Sequence, residues 1–224
     1  MNRVAGFLPS KVMFYLSNLR FESSPIYFVR HGESEYNLKG LIGGDSSLTD
    51  HGQKFAKTLA AWVSKNIPNA TKSLCVWSST MKRAVQTSVG IPCAQYINWK
   101  SLDEIEVGIC DGMSYEEIAE KYPHEFAARS RDKLRYRYPR GESYEDLIRR
   151  IEPAIIELER RICPTVVIGH QATLRCFYAY FSKQQISREE VPRIELPSEV
   201  VIKVTPHAYG AIEERFPVPV DGEN

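Results

Sequence analysis

Four short apolar runs punctuate the chain at wide intervals: Ile26-Tyr27-Phe28-Val29, Leu74-Cys75-Val76-Trp77, Thr165-Val166-Val167-Ile168 and Val200-Val201-Ile202-Lys203-Val204. Runs of this length, rich in β-branched and aromatic residues and without polar alternation, suit strands buried on both faces. Between them the apolar residues fall at helical spacing. Phe55, Leu59, Trp62 and Val63 share one face, and Met81, Ala84, Val85 and Ser88 make a shorter stripe. The clearest helix opens at Ser143, with Asp146 three residues on as a capping-box-like start. It continues through Leu147, Ile148, Ile151, Ile155, Leu158 and Ile162, and Pro153 inside it predicts a bend. Helices alternating with buried strands predict an α/β fold: a three-layer sandwich, its central sheet mostly parallel and flanked by helices.

The ends break this rhythm. Residues 1–24 hold one apolar stretch, Val12 to Leu16, before Glu22-Ser23-Ser24-Pro25, and read as a leading element or connector. The domain proper then spans 25–216. From Pro217 the chain carries two prolines, Gly222 and acidic residues, which predict a mobile tail over 217–224.

Composition narrows the function more than the fold. The 224 residues are 43% hydrophobic and 25% charged, as in an ordinary globular protein large enough to bury a core. A net charge of +1 argues against a general nucleic-acid or membrane binder. No apolar run approaches the ~20 residues of a membrane span. Pro9 and Lys11 interrupt the N-terminal apolar residues, so no secretory signal is expected. Five cysteines (Cys75, Cys93, Cys110, Cys163 and Cys176) include no C-x-x-C pair, and predict reduced thiols in a cytoplasmic protein with no metal site.

Several chemistries fail by inspection. There is no G-x-x-x-x-G-K-[ST] for a P-loop. Four G-x-S triplets, at Gly32, Gly44, Gly112 and Gly141, never complete G-x-S-x-G. No cysteine has an arginine six residues later, no Asp-x-Asp occurs, and the histidines lack H-E-x-x-H spacing.

What remains points to phosphoryl chemistry. Arg30-His31-Gly32-Glu33-Ser34 directly follows the first apolar run, at the carboxyl end of a strand, where open α/β sheets bind ligands. Arginine offers a planar fork to a phosphoryl group, and a neutral imidazole is an uncharged nucleophile toward a dianion. The third run ends the same way, in Gly169-His170-Gln171, with a helix-like segment from Ala172 to Phe181 behind it. Ser78-Ser79-Thr80-Met81-Lys82-Arg83 brings a second arginine past another strand. Leu102-Asp103-Glu104-Ile105 supplies carboxyls, one of which can protonate a leaving oxygen. Between Arg129 and Arg140 lie six basic residues and one acid, with Tyr136 and Tyr138 interleaved. This run reads as a clamp for a second phosphate, with an RNA-binding strip as the rival.

Together these residues resemble the histidine phosphatase (phosphoglycerate mutase) superfamily. They are closest to the bisphosphatase half of the bifunctional 6-phosphofructo-2-kinase/fructose-2,6-bisphosphatases. The resemblance covers residues 8–210 and is most specific at Arg30–Asn37, Ile42–Asp45, Arg135–Leu147, His170–Phe181 and Thr205–Gly210. It implies a phosphoglycerate mutase-like fold with His31 as the residue that becomes phosphorylated. Arg30, Arg83 and His170 would hold the transferred group, with Asn37 beside it. It makes Glu104 the acid and later the base, and Gly43 a sugar-contacting position. Tyr115, Arg129, Lys133, Tyr144, Gln171 and Arg175 would form the pocket for the 6-phosphate and sugar.

By the same resemblance the expected activity is hydrolysis of the C2 phosphate of fructose 2,6-bisphosphate, with no cofactor, in the control of glycolysis and gluconeogenesis. Residues 8–24 look like the connector that follows a kinase domain in a longer parent protein. The rivals are a broader sugar-phosphate phosphatase or mutase on the same scaffold, and a non-catalytic module that senses sugar phosphates.

Overall fold

The structure, a computed structural model, describes residues 24–182, 186–207 and 210–220, together with Val12. The expected connector over residues 1–24 lies almost wholly outside them.

All four apolar runs form strands, and two further strands join them. They are β1 (Ile26–Arg30), β2 (Cys75–Ser78), β3 (Gln95–Asn98), β4 (Thr165–Gly169), β5 (Val200–His207) and β6 (Gly210–Pro217). The sheet order is β3-β2-β4-β1-β5-β6. The first four strands in that order run parallel, while β5 is antiparallel to β1 and β6 to β5, so the sheet is mixed. The sequence reading missed β3 and β6, the two edges.

Helices cover both faces: α1 (Glu35–Leu38), α2 (Asp50–Asn66), α3 (Ala70–Ser73), α4 (Lys82–Ser88), α5 (Tyr115–Lys121), α6 (Pro123–Arg131), α7 (Tyr144–Arg160) and α8 (Gln171–Phe181). Strand alternation sorts the core into two layers. Ile26 and Phe28 of β1 join Trp77, Val167, Leu147, Ile151 and Phe177 against α7 and α8. Tyr27 and Val29 join Val76, Val166, Phe55, Leu59 and Val63 against α2. A buried side chain of this kind contributes roughly 1.5–3 kcal/mol, so both faces are needed to hold the sheet. A third, smaller cluster of Val107, Cys110, Ile118 and Tyr138 ties α5 and α6 to the loops around them, away from the sheet.

The cap at Ser143 forms as its sequence predicts, with Ser143 Oγ accepting from the Asp146 N–H and the Asp146 carboxylate accepting from the Ser143 N–H. Pro153 sits inside α7 without ending it. Leu147, Ile151, Ala154, Ile155 and Leu158 stay buried on both sides of the proline, and this packing offsets the lost backbone bond. Ile162, expected to extend that stripe, lies past the helix end and is exposed. The expectation of a mobile tail from Pro217 does not hold for the described part of it. Pro217 closes β6, Val218 donates its N–H to Glu199 O, and Val218 and Val220 are buried.

One pairing positions the site. β1 and β4 are neighbours in register, with Arg30 opposite Gly169, and the His31 N–H donates to Gly169 O at 3.0 Å. Two histidines far apart in sequence therefore leave the sheet side by side.

Candidate active site

The His31 and His170 rings lie 5.0 Å apart, centroid to centroid, and are 5% and 0% exposed. Arg83, in the first turn of α4, reaches both: its Nε–H lies 3.2 Å from Nε2 of His31 and 3.2 Å from Nδ1 of His170. A guanidinium can only donate, so both of those nitrogens carry lone pairs. The proton of His31 is then on Nδ1, which donates to Gly32 O at 2.7 Å, and that of His170 is on Nε2, facing Ser79 Oγ at 2.6 Å. Both imidazoles are neutral. Burial, then Arg83 and Arg30, bring the pKa of His31 down to about 3 against the opposing pull of the Gly32 carbonyl. Burial, then His31 and Arg83, hold His170 well below its ordinary value.

The turn after β1 permits this because position 32 has no side chain. A Cβ there would meet Gly52 O at 2.7 Å, while the Gly32 N–H donates to Thr87 Oγ1 at 3.0 Å. Arg83 is 4% exposed and also donates to Gly44 O at 2.7 Å, so it is no helix-surface arginine. Arg30, partly buried, lines the same cleft, and its pKa is lowered by burial despite the nearby Glu104.

The two candidate carboxylates separate cleanly. Asp103 accepts from the N–H and Oγ1 of Thr80 and is occupied in holding the loop after β2. Glu104 turns to the cleft, where its carboxylate accepts from the Ala172 N–H at 3.1 Å, in the first turn of α8, and from its neighbour Ile105 at 3.0 Å.

The far end of the cleft is basic. Arg129 donates to Tyr138 Oη at 2.6 Å and Tyr115 Oη at 2.8 Å, and its guanidinium lies 4.7 Å over the Tyr115 ring. Arg175 donates to Ile194 O and to Tyr144 Oη, and Lys133 to Pro192 O. Among the described residues none of the three has a carboxylate within ion-pair distance. Burial, then Arg175, Arg129 and Arg193, bring Lys133 down to about 8. Three half-buried cations with only neutral partners form a site suited to an anion. The remaining basic residues between 129 and 140 do not join them. Arg135 and Arg137 are exposed and pair with Asp132, Glu189 and Asp146, which dissolves the RNA-binding strip into separate faces.

Comparison with known proteins decides the family. The histidine phosphatase superfamily (branch 1) matches residues 26–215. The chain belongs to that superfamily. The chain is 50% identical over 213 residues to human 6-phosphofructo-2-kinase/fructose-2,6-bisphosphatase 4, a match that covers 94% of this chain and 43% of the relative. It is 45% identical over 216 residues to the 6-phosphofructo-2-kinase/fructose-2,6-bisphosphatase of Arabidopsis thaliana, covering 96% of this chain and 29% of that one. The chain thus spans less than half the length of these relatives. Among solved structures, the alpha-ribazole phosphatase from Shigella flexneri superposes with a TM-score of 0.75 at 18% identity, covering 89% of this chain and all of that one. Bacillus stearothermophilus YhfR gives 0.71 at 22% identity, with 90% and 98% covered. These two share the fold.

The cleft, about 230 Å³, gathers Arg30, His31, Asn37, Gly43, Arg83, Glu104, Tyr115, Arg129, Lys133, Tyr144, Gln171 and Arg175. His170 lies behind its wall, in contact through Arg83. Asn37 commits its carbonyl oxygen to the Ser34 N–H and Oγ–H, so it can offer a ligand only amide hydrogens. Gly43 has φ +76°, and a side chain there would collide with Asp111. Gln171 keeps a buried carboxamide oxygen with no partner among the described residues. Sequence reasoning missed Ser79 as the partner of His170, Thr87 as the acceptor for Gly32, and Tyr138 as a wall that anchors Arg129. Ser79 and Tyr138 stood in segments already singled out; Thr87 carried no signal beyond residue type.

Proposed function

We propose that this chain is a fructose-2,6-bisphosphate 2-phosphatase that works through a phosphohistidine on His31. One observation carries the reading. A lone-pair imidazole nitrogen with Arg83 beside it and a separate cluster of three cations share one cleft, and Glu104 acts electrostatically on both. Such a cleft suits a small molecule bearing two phosphates, and the names of the 45–50% identical relatives supply the sugar.

Nε2 of His31 attacks the phosphorus of the 2-phosphate, forming a P–N bond as the P–O bond to C2 breaks. Glu104, carrying a proton taken up from solvent as the anionic substrate binds, gives it to the departing C2 oxygen, and fructose 6-phosphate leaves. Glu104 then takes a proton from water, whose oxygen attacks phosphorus, breaks the P–N bond and releases inorganic phosphate. Arg30 and Arg83 neutralise the equatorial oxygens. In this structure Nδ1 of His170 accepts from Arg83. Burial, then His31 and Arg83, keep His170 neutral; a bound phosphoryl dianion would draw the guanidinium onto its own oxygens and oppose them with its negative charge. Nδ1 can then take up a proton and donate to the phosphoryl group. Asn37 adds amide hydrogens there.

Arg129, Lys133 and Arg175 hold the 6-phosphate, with Tyr115 and Tyr144 bonded to the arginines. The unpartnered oxygen of Gln171 suits a sugar hydroxyl, and Gly43 lines the same cleft. Among the described residues no helix is long and apolar enough to cross a membrane, and all five cysteines are free thiols, which supports a cytoplasmic enzyme of sugar-phosphate metabolism. The bifunctional names of the relatives support a kinase domain in a longer parent chain, reached through residues 1–24.

The test is phosphate release from fructose 2,6-bisphosphate, fructose 1,6-bisphosphate and fructose 6-phosphate, with a chelator present. Preference for the first substrate, leaving fructose 6-phosphate as product, is expected. Equal rates on all three would overturn the substrate assignment, and binding without turnover would overturn the activity.

A further inference from the structure

Glu104 must meet a leaving oxygen and later a water, yet its own backbone does little to fix it. Residues 100–106 contain one short turn of 3-10 helix (Lys100–Leu102) and no strand. A side chain outside the cleft supplies the missing constraint. Arg150, on α7, spreads its guanidinium along the carbonyls of this loop. Nη1 donates to Ser101 O at 3.0 Å and Asp103 O at 3.1 Å, and Nη2 to Asp103 O at 3.1 Å and Glu104 O at 3.2 Å. The remaining edge of the fork is locked to Glu142, with Nε to Oε1 at 2.8 Å and Nη2 to Oε2 at 2.9 Å.

Glu142 holds the other side of the loop. Its Oε2 accepts from the Glu106 N–H at 3.1 Å, and its own N–H donates to Glu106 O at 2.8 Å. Thr173 Oγ1 adds a third donor to Asp103 O at 2.8 Å. The peptide that carries Glu104 is thus gripped on both sides by one ion pair, both of whose members are largely shielded from water. Neither member is among the residues that line the cleft with His31.

We infer that Arg150 and Glu142 form a positioning pair for Glu104, setting where its carboxyl meets the leaving oxygen. The inference rests on the reading of Glu104 as acid and base given above. A guanidinium is required because its donors lie in one plane and reach several carbonyls together, which an ammonium cannot do. A displacement of ~1 Å at a reacting group can cost on the order of 10²-fold in rate.

The experiment compares Arg150→Lys, Glu142→Gln and Glu104→Gln on two substrates. On fructose 2,6-bisphosphate, whose C2 alkoxide needs a proton to leave, Arg150→Lys and Glu142→Gln should each lower kcat roughly 10- to 100-fold with KM little changed, within the ~10²–10⁴-fold that acid–base help supplies. Single-turnover release of nitrophenolate from a nitrophenyl phosphate, which needs no proton, should stay near wild type in Arg150→Lys and Glu142→Gln. The double variant Glu104→Gln/Arg150→Lys should be no slower on the bisphosphate than Glu104→Gln alone, because the pair acts through Glu104.

Equal losses on both substrates in Arg150→Lys and Glu142→Gln, or a double variant in which the two losses multiply, would make the pair a support of the fold and overturn the inference. Unchanged kcat in both variants would overturn it as well. If Glu104→Gln itself slows both substrates alike, the acid–base reading of Glu104 fails, and the positioning role falls with it.

Discussion

Arg83 donates to Nε2 of His31 across 3.2 Å, so the nitrogen proposed to attack phosphorus is a bare lone pair facing a fixed cation. This contact does two things. It denies Nε2 a proton and places a guanidinium where the equatorial oxygens of an arriving phosphoryl group would lie.

The first prediction follows from that double duty. Arg83→Lys keeps a charge but loses the fork that reaches His31, His170 and Gly44 together. A charge-assisted hydrogen bond contributes roughly 1.5–3 kcal/mol, so kcat/KM should fall by about one to two powers of ten. The loss should be similar on fructose 2,6-bisphosphate and on an aryl phosphate, since Arg83 serves the phosphoryl group common to both. Steady-state kinetics on the two substrates checks it, and a loss confined to the bisphosphate would assign Arg83 to the wrong end of the cleft.

A second prediction concerns stability against pH. Folding lowers the His31 pKa from an ordinary value near 6.5 to about 3. Between those limits the unfolded chain binds a proton that the native state refuses, so stability falls as the medium is acidified. For His31 alone the loss from pH 6.5 to 5 is about 2 kcal/mol, and His170 adds in the same direction. Denaturant melts at pH 8, 6.5 and 5 should show this slope in wild type and a shallower one in His31→Asn. Parallel slopes would mean that His31 is not buried as a neutral ring.

The third prediction separates the two ends of the cleft. Lys133, lowered to about 8 by burial and its arginine neighbours, is charged below that pH and neutral above it. For fructose 2,6-bisphosphate kcat/KM should therefore decline above pH 8, through recognition of the 6-phosphate. An aryl phosphate with one phosphoryl group should show no such limb, and Lys133→Arg should remove it from the bisphosphate profile. The same alkaline limb on both substrates would place the titrating group at the reacting phosphoryl.

What the sequence revealed, and what it hid, follows from how each residue is used. The strands that carry His31 and His170 lie in the middle of the sheet, and burial on both faces makes them unbroken apolar runs. The edges carry no such signature. β3 is Gln95-Tyr96-Ile97-Asn98 and mostly exposed, and β6 places Glu213, Glu214 and Arg215 where water reaches them. Asp103 and Glu104 could not be told apart by type or spacing, because only the approach of Thr80 decides which one is consumed by the loop. Nothing in the sequence singled out Arg150. Its partners are backbone carbonyls, which every sequence offers equally.

The account rests on a covalent bond between His31 and phosphorus. The direct measurement is to quench the enzyme during turnover of fructose 2,6-bisphosphate labelled at the 2-phosphate, keep the protein alkaline, and map the label by peptide mass. Label on His31, formed and lost at rates that account for kcat and absent from His31→Ala, is the predicted result. Label on another residue, or full turnover in His31→Ala with none, would contradict it.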